Sequence, residues 1–425
     1  MSSANSVPGS TLRRGLSSRS GGHRRLCGCV NCIMPPYILK RLLESSDREI
    51  RKAALDTLLS TAQLRGERSV RTAFAAASGP ANGRRTIFDC HHTSNLPSAR
   101  LARSEDGAAS SDKSVNAAFD GLGKTRDFYR QVLDRNSLDG RGMRLDGYVH
   151  YGVRFNNAFF DGQEMVFGDG DGILFGDFTG SLDVIAHELT HGVTQFTAGL
   201  EYHGQSGALN ESISDVFGSL VKQWSLDQTA EEADWLIGAD IFTPGMKGDA
   251  LRSMKAPGTA FDNDRIGKDP QPDTMSNYVQ LPDDDDNGGV HINSGIPNKA
   301  FYLTATAIGG VAWEAPGHIW YEALGAATAT TEFQEFADLT YGKAGQLYGT
   351  GSHEQHAVQH AWREVGIRVS GMVAGRTGRR GRSATDGREA DTLAALSKQM
   401  DALSSQVRAL QTEVSGLRRS SRSAA

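Results

Sequence analysis

The sequence predicts an α+β protein in which a β-rich lobe is followed by an α-helical lobe. Three observations carry this. From Thr86 to about Ser181 the signals are short and strand-like. After Leu182, long apolar stretches with helical spacing take over at 183–198, 206–225, 295–308 and 353–366. Breaks rich in Gly, Ser and Arg set this body apart from both ends of the chain. Within the first lobe, Tyr148 to Phe155 alternates apolar and polar residues and Met165 to Phe167 is an apolar triplet, while GDGDG at 168–172 is dense turn chemistry. A single helical pattern, between Val115 and Leu133, interrupts the strands. The lobes are therefore placed at 85–182 and 183–369.

The flanks read differently. Residues 1–32, rich in Ser, Gly and Arg, are expected to form a disordered tail. In the leader at 33–84, Pro35–Pro36 forbid helix, but Leu42, Ile50, Leu55, Leu58 and Leu59 support one or two amphipathic helices from Ile38 onward. The stretch AAASGPANGR at 75–84 then reads as a linker open to proteases. Past the body, 370–389 is a Gly/Arg linker. Leu393, Leu396, Met400, Leu403, Val407, Leu410, Val414 and Leu417 then alternate spacings of three and four, a heptad seam. A coiled coil at 390–419 is expected, with homo-oligomerisation through 393–417. One amphipathic helix folding back on the body is the alternative.

Composition excludes several classes. Of 425 residues 22% are charged and the net charge is −5, without the basic excess of a nucleic-acid binder. No stretch approaches the roughly 18 consecutive apolar residues of a membrane span. Arg13, Arg14, Arg24 and Arg25 are followed by no apolar run, so no Sec signal is expected. Cys27, Cys29 and Cys32 crowd into the tail and Cys90 is alone in the body, which rules out a disulfide framework. The three tail thiols, with His23, could bind a metal, or one could reach a catalytic ion. The plainer reading is three reactive thiols on a disordered tail.

The chemistry is concentrated in His187-Glu188-Leu189-Thr190-His191. Four residues turn a helix by about 400°, so both imidazoles project from one face, fit for one zinc ion. Glu188 lies where it can reach a water rather than the metal. Nineteen residues separate His191 from Glu211 in ALNESISD, which supplies a third ligand and leaves one position open, as a catalytic zinc requires. Glu211 and Asp215 stand among Leu209, Ile213, Val216, Phe217 and Leu220, and a buried carboxylate needs a partner. Asp215 and Asn210 can accept the remaining N–H groups of the ligand histidines.

HELTH, ALNESISD and DNGGVHINSGIPNKAFY at 286–302, together with NNAFFDG at 156–162, MVFGDGDG at 165–172, AGLEY at 198–202 and LRSM at 251–254, resemble the thermolysin family of zinc metalloendopeptidases. The similarity runs from roughly Thr86 to Val369. It implies a two-lobed fold with zinc in the cleft, held by His187, His191 and Glu211. Glu188 corresponds to the general base, and Tyr202 and His291 to the donors that stabilise the oxyanion. His291 is also the family's proton donor, and Asp286 its orienting carboxylate. Asn157, the Ala158 carbonyl and Arg252 match groups that hold the substrate backbone. Phe175, Phe178, Val184 and Leu251 match the pocket for the residue after the scissile bond, implying a preference for bulky hydrophobic residues there. MPPYIL ahead of a short helical leader is similar to precursors of the protealysin-like subgroup. That likeness implies a propeptide that keeps the enzyme latent and is removed at about Gly83–Arg85.

The paired calcium site of the family is expected to be lost, because Lys222, Leu236 and Ala239 stand where acidic residues would be. The Lys222 ammonium is expected to pair with Asp183 or Asp234. Thr243 and Asp249 match a separate single-calcium loop. Two rival functions remain open at this point, an HExxH aminopeptidase and a catalytically silent, zinc-stabilised oligomeric binding protein. Substrates are expected to be peptides or proteins. Export by a route without a Sec signal is expected, with cytoplasmic retention as the alternative. The remaining histidines, His92 and His150 among them, have no motif around them and are assigned core or surface roles.

Overall fold

The structure, a computed structural model, describes residues 31–71 and 83–369. The expected linker and coiled coil at 370–419, and the thiols of Cys27 and Cys29, lie outside the described residues. The leader opens with a two-residue strand, β1 (Asn31–Cys32), followed by α1 (Pro36–Leu42) and α2 (Arg48–Arg71). Pro36 begins α1 because a helix's first position needs no N–H donor. The tail boundary expected at residue 32 is thus corrected. Asn31–Cys32 is extended and paired, and the Cys32 side chain is buried.

The first lobe is built on one six-stranded sheet. Its members are β1, β2 (Arg85–Asp89), β3 (Arg100–Ser104), β4 (Leu145–Val149), β5 (Ala158–Phe160) and β6 (Glu164–Phe167), in the order β1-β5-β6-β4-β2-β3. Strands β2, β4 and β6 are parallel neighbours, while β1 adds antiparallel to the edge offered by β5. The alternation in β4 buries Leu145, Gly147 and Val149. The alternation anticipated through Phe155 stops at Val149, because His150 and Gly152 take left-handed backbone and turn the chain. Helix α3 (Lys113–Leu133) covers the sheet. Its N-cap is Asp112, whose carboxylate accepts from the Ser114 and Val115 amides.

The second lobe is helical, with α4 (Leu182–Phe196), α5 (Gly204–Leu226), α6 (Asp286–Asn293), α7 (Gly295–Ile308), α8 (Ala315–Ala326), α9 (Phe333–Tyr348) and α10 (His353–Glu364). A short antiparallel pair, β7 (Leu236–Ile237) with β8 (Arg252–Ser253), lies between α5 and α6. Helix α4 is buried without a break from Asp183 to Thr194, as expected of a helix at the junction of two lobes. It packs closely on α5 because Gly218 has no side chain. A Cβ there would lie 2.7 Å from the Asp183 carbonyl oxygen and 3.3 Å from the His187 amide nitrogen. That approach brings the ligand-bearing faces of the two helices together.

Candidate active site

Helix α4 presents His187 and His191 one turn apart, and α5 presents Glu211 opposite them. All three are fully buried. The Nε2 atoms of the two histidines are 3.0 Å apart, and the Glu211 carboxylate oxygens lie 3.4 Å from His191 Nε2 and 3.5 Å from His187 Nε2. The other ring nitrogens have partners. His191 Nδ1 donates to the Asn210 side-chain oxygen at 2.8 Å, and His187 Nδ1 lies 2.8 Å from an Asp215 oxygen. Both Nε2 lone pairs consequently point at each other.

Two facing lone pairs at that distance repel, and Glu211 Oε2 is buried with no hydrogen bond. A cation shared by the three residues relieves both costs, so the donor set fits zinc. Two nitrogens and one carboxylate are also the open-site composition of a catalytic zinc.

Asp215 is the hub behind the ligands. Arg252 on β8 grips it with two hydrogen bonds of 2.8 Å, and Asn298 donates to it at 2.8 Å. Burial would raise the Asp215 carboxyl, but Arg252 and His187 outweigh it and hold the group well below the usual range. Sequence reasoning missed Asn298, although it lies inside the quoted stretch at 286–302. It also missed Ser214, whose hydroxyl is 3.0 Å from His191 Nδ1. Gln271, which donates to the His291 carbonyl oxygen at 2.8 Å, carried no sequence signal.

Glu188 projects from the same helix toward the sheet, where the Phe160 amide donates to it at 3.1 Å. Burial and then the charge of Glu211 push its carboxyl well above the ordinary value. A cation among the ligands acts in the opposite sense. His291 and Tyr202 stand on the far side. The Tyr202 hydroxyl donates to Glu211 and is 3.3 Å from His291 Nε2.

Residues Asp286 to Gly289 all adopt left-handed backbone, which suits Gly288 and Gly289 but strains Asp286 and Asn287. The turn folds the Asp286 carboxylate back to 2.5 Å from His291 Nδ1. Burial opposes the imidazolium, yet Glu211 and Asp286 prevail and hold His291 at about 9.

The leader occupies this cleft. Strand β1 pairs with β5 in the register Cys32 to Phe159, and the Ile33 amide donates to the Ala158 carbonyl at 3.3 Å. The Met34 amide donates to the Asn157 side-chain oxygen at 3.1 Å, and Arg252 donates to the Ile33 carbonyl at 3.1 Å. His291 Nε2 donates to the Cys32 carbonyl at 2.9 Å. Every backbone-holding group anticipated from the sequence is thus engaged by three consecutive leader residues. Phe175, Phe178, Val184 and Leu251 are wholly buried in the apolar cluster that also contains Ile33.

Residues 69–195 match the thermolysin metallopeptidase catalytic domain, and residues 198–367 match its alpha-helical domain. The chain belongs to the thermolysin metallopeptidase family. An extracellular metalloprotease of Pectobacterium carotovorum subsp. carotovorum is 47% identical over 339 residues, covering 79% of this chain and 96% of that protein. Protease PrtS of Photorhabdus sp. (strain Az29) is 44% identical, covering 79% of this chain and 92% of its own length. Among solved structures, the precursor of protealysin, a metalloproteinase from Serratia proteamaculans, superposes with a TM-score of 0.72. It is 47% identical, covering 79% of this chain and 99% of that one. As a thermolysin-family member the chain is a zinc metalloendopeptidase that acts on peptides or proteins.

Where the family's paired calcium site was expected to be lost, Lys222 Nζ lies 3.3 Å from Asp183 and 2.9 Å from Asp234. In the loop matched to a single calcium, the Thr243 hydroxyl donates to the Ile173 carbonyl at 2.6 Å. Among the described residues no helix is long and apolar enough to cross a membrane.

Proposed function

We propose that this thermolysin-family peptidase is made as a latent precursor whose own leader lies in the cleft as a substrate would. The observation that carries this is the set of main-chain contacts made by Cys32, Ile33 and Met34 with His291, Arg252, Ala158 and Asn157. On this reading the Cys32 carbonyl stands where an oxyanion would form and Ile33 at the position after the scissile bond. A bulky hydrophobic residue is the preferred occupant there, in keeping with Phe175, Phe178, Val184 and Leu251. Removal of the leader at about Gly83–Arg85 then opens the cleft.

Zinc, when bound by His187, His191 and Glu211, supplies a Lewis acid that polarises the substrate carbonyl and makes water more acidic. Glu188 takes a proton at its unpartnered oxygen Oε1 and passes it to the leaving amine. Tyr202 and His291 donate to the developing oxyanion, and Asp286 keeps His291 charged and aimed. Asn210 and Asp215 fix the ligand tautomers, while Arg252 and Asn157 hold the substrate backbone. Lys222 substitutes for calcium at the paired site, and Thr243 and Asp249 are the remaining candidates for one ion. The extracellular relatives support secretion. Self-association through 393–417 remains part of this reading.

Intact-mass spectrometry of the wild type and of Glu188→Ala, followed over time with zinc present, tests the proposal. Loss of about the first 83–85 residues from the wild type alone supports it. Equal shortening of both proteins, or of neither, overturns self-maturation.

A further inference from the structure

We propose that His92, His150 and Asp169 form a second metal site, separate from the catalytic ligands and suited to zinc or a similar borderline ion. The sheet creates it. Strands β2, β4 and β6 are parallel neighbours, paired through Asp89 with Val149 and Tyr148 with Val166. Their C-terminal ends therefore lie side by side, at Asp89, Val149 and Phe167. The three residues follow those ends within a few positions, where ligands of parallel sheets characteristically bind.

The side chains converge on one carboxylate. Asp169 Oδ1 is 2.8 Å from His150 Nδ1, and Asp169 Oδ2 is 3.1 Å from His92 Nδ1. One ligand atom from each residue lies within 4.8 Å of the others, and the two rings are 5.4 Å apart. A tetrahedral zinc with bonds of 2.0–2.2 Å needs donors roughly 3.3 Å apart, a closure that side-chain rotation can provide. Two imidazoles and a carboxylate favour zinc, nickel or copper over calcium or magnesium.

The backbone is strained to achieve this. His92 has φ 59° and His150 has φ 53°, and the His92 amide donates to the His150 carbonyl at 2.9 Å. Left-handed backbone is costly for a non-glycine residue, and such positions concentrate where side chains are held for a purpose.

Asp112 completes the arrangement, with its carboxylate 2.9 Å from His150 Nε2. An ion bound at His150 Nδ1 leaves the Nε2–H donating to Asp112, the carboxylate–histidine–metal pattern of many zinc sites. Both ring nitrogens of His150 thus face carboxylates. His92 is 59% exposed and borders a groove lined by Asp56 and Ser60 of the leader, so an ion has access from solvent.

The test uses the full-length chain carrying Glu188→Gln to prevent autolysis and Cys27→Ser and Cys29→Ser to remove tail thiols. Zinc is titrated against a chromophoric chelator, and bound zinc is counted by elemental analysis. Two zinc ions per chain are expected, the second released at least tenfold more easily after His92→Ala or Asp169→Asn. Further addition of His187→Ala should abolish the first ion and spare the second. A single zinc per chain, or a second one that survives both His92→Ala and Asp169→Asn, overturns the proposal.

Discussion

The main-chain oxygen of Cys32 lies 2.9 Å from Nε2 of His291. With Nδ1 of the same ring donating to Asp286, both ring nitrogens donate, and the histidine is charged while it holds a leader carbonyl. Under the proposed reading, a leader held by the same donors keeps other peptides out of the cleft. The proposed precursor would then be a complex of the site with its own chain.

That complex should come apart when its apolar anchor is changed. Ile33 is fully buried, and a carboxylate there would lose its hydration without a partner. Ile33→Asp is expected to raise the initial rate of the unprocessed chain on a fluorogenic peptide at least tenfold over the wild-type precursor. Rates would be read in the first minutes, with intact mass confirming full length. An unchanged initial rate would show that the leader does not limit access.

Lys222 is expected to be a structural cation. Asp183 is wholly buried, and it keeps bonds from Ser181 and the Gly238 amide besides the ammonium. Lys222→Met leaves that carboxylate buried without its countercharge and should cost about 3 kcal/mol, read as a lowered Tm. Asp183→Asn combined with Lys222→Met should be less destabilised than Lys222→Met alone, since the uncompensated charge is gone. If the double variant is the sum of the two singles, the pair is not coupled and the assignment fails.

Much of the zinc site was legible because its geometry is local. His187 and His191 share a helix face by spacing alone, and Glu211 to Asp215 is again one helical turn. The major helices at 182–196, 204–226, 295–308 and 353–364 fall close to the expected ranges. What was not legible depends on strands meeting. Nothing in the sequence places Cys32 on the edge of β5, because a two-residue strand has no periodicity to detect. His92, His150 and Asp169 are likewise joined only by parallel strand order, and their separate surroundings look unremarkable. Helices α8 and α9 were missed because Pro316 and Gly317, in the first turn of one, read as a break rather than a start, while small and polar residues blur the apolar pattern of the other.

The His150 cluster should also leave a mark on the pH dependence of stability. The Asp169 hydrogen bond, opposed by partial burial and reinforced by the charges of Asp169 and Asp112, raises His150 to about 9. The groups facing the ring are the carboxylates of Asp169 and Asp112 and the second imidazole, His92. A folded value above the unfolded one, near 6.5, means that the stabilisation is complete below about 6.5. It is lost as pH rises through about 9. In metal-free buffer, His150→Gln should cost about 1–2 kcal/mol at pH 6, discounted for solvent screening, and much less at pH 9.5. An equal Tm difference at both pH values would mean that the charge contributes nothing.

His291 separates binding of the metal from its use. It lies 3.7 Å from Glu211 and 3.3 Å from the Tyr202 hydroxyl, beside the zinc ligands rather than among them. His291→Ala in the mature enzyme is expected to retain one zinc at the catalytic ligands. Its kcat should fall by about 10²–10³, the usual cost of losing one oxyanion donor. Asp286→Asn leaves the imidazole in place but removes the carboxylate 2.5 Å from Nδ1 that keeps it charged. Its deficit should be smaller and grow as pH rises, because the neutral ring no longer donates from both nitrogens. Zinc content and the kcat profile between pH 6 and 9 decide the matter. Loss of zinc from His291→Ala would make His291 a ligand and remove it from the oxyanion role.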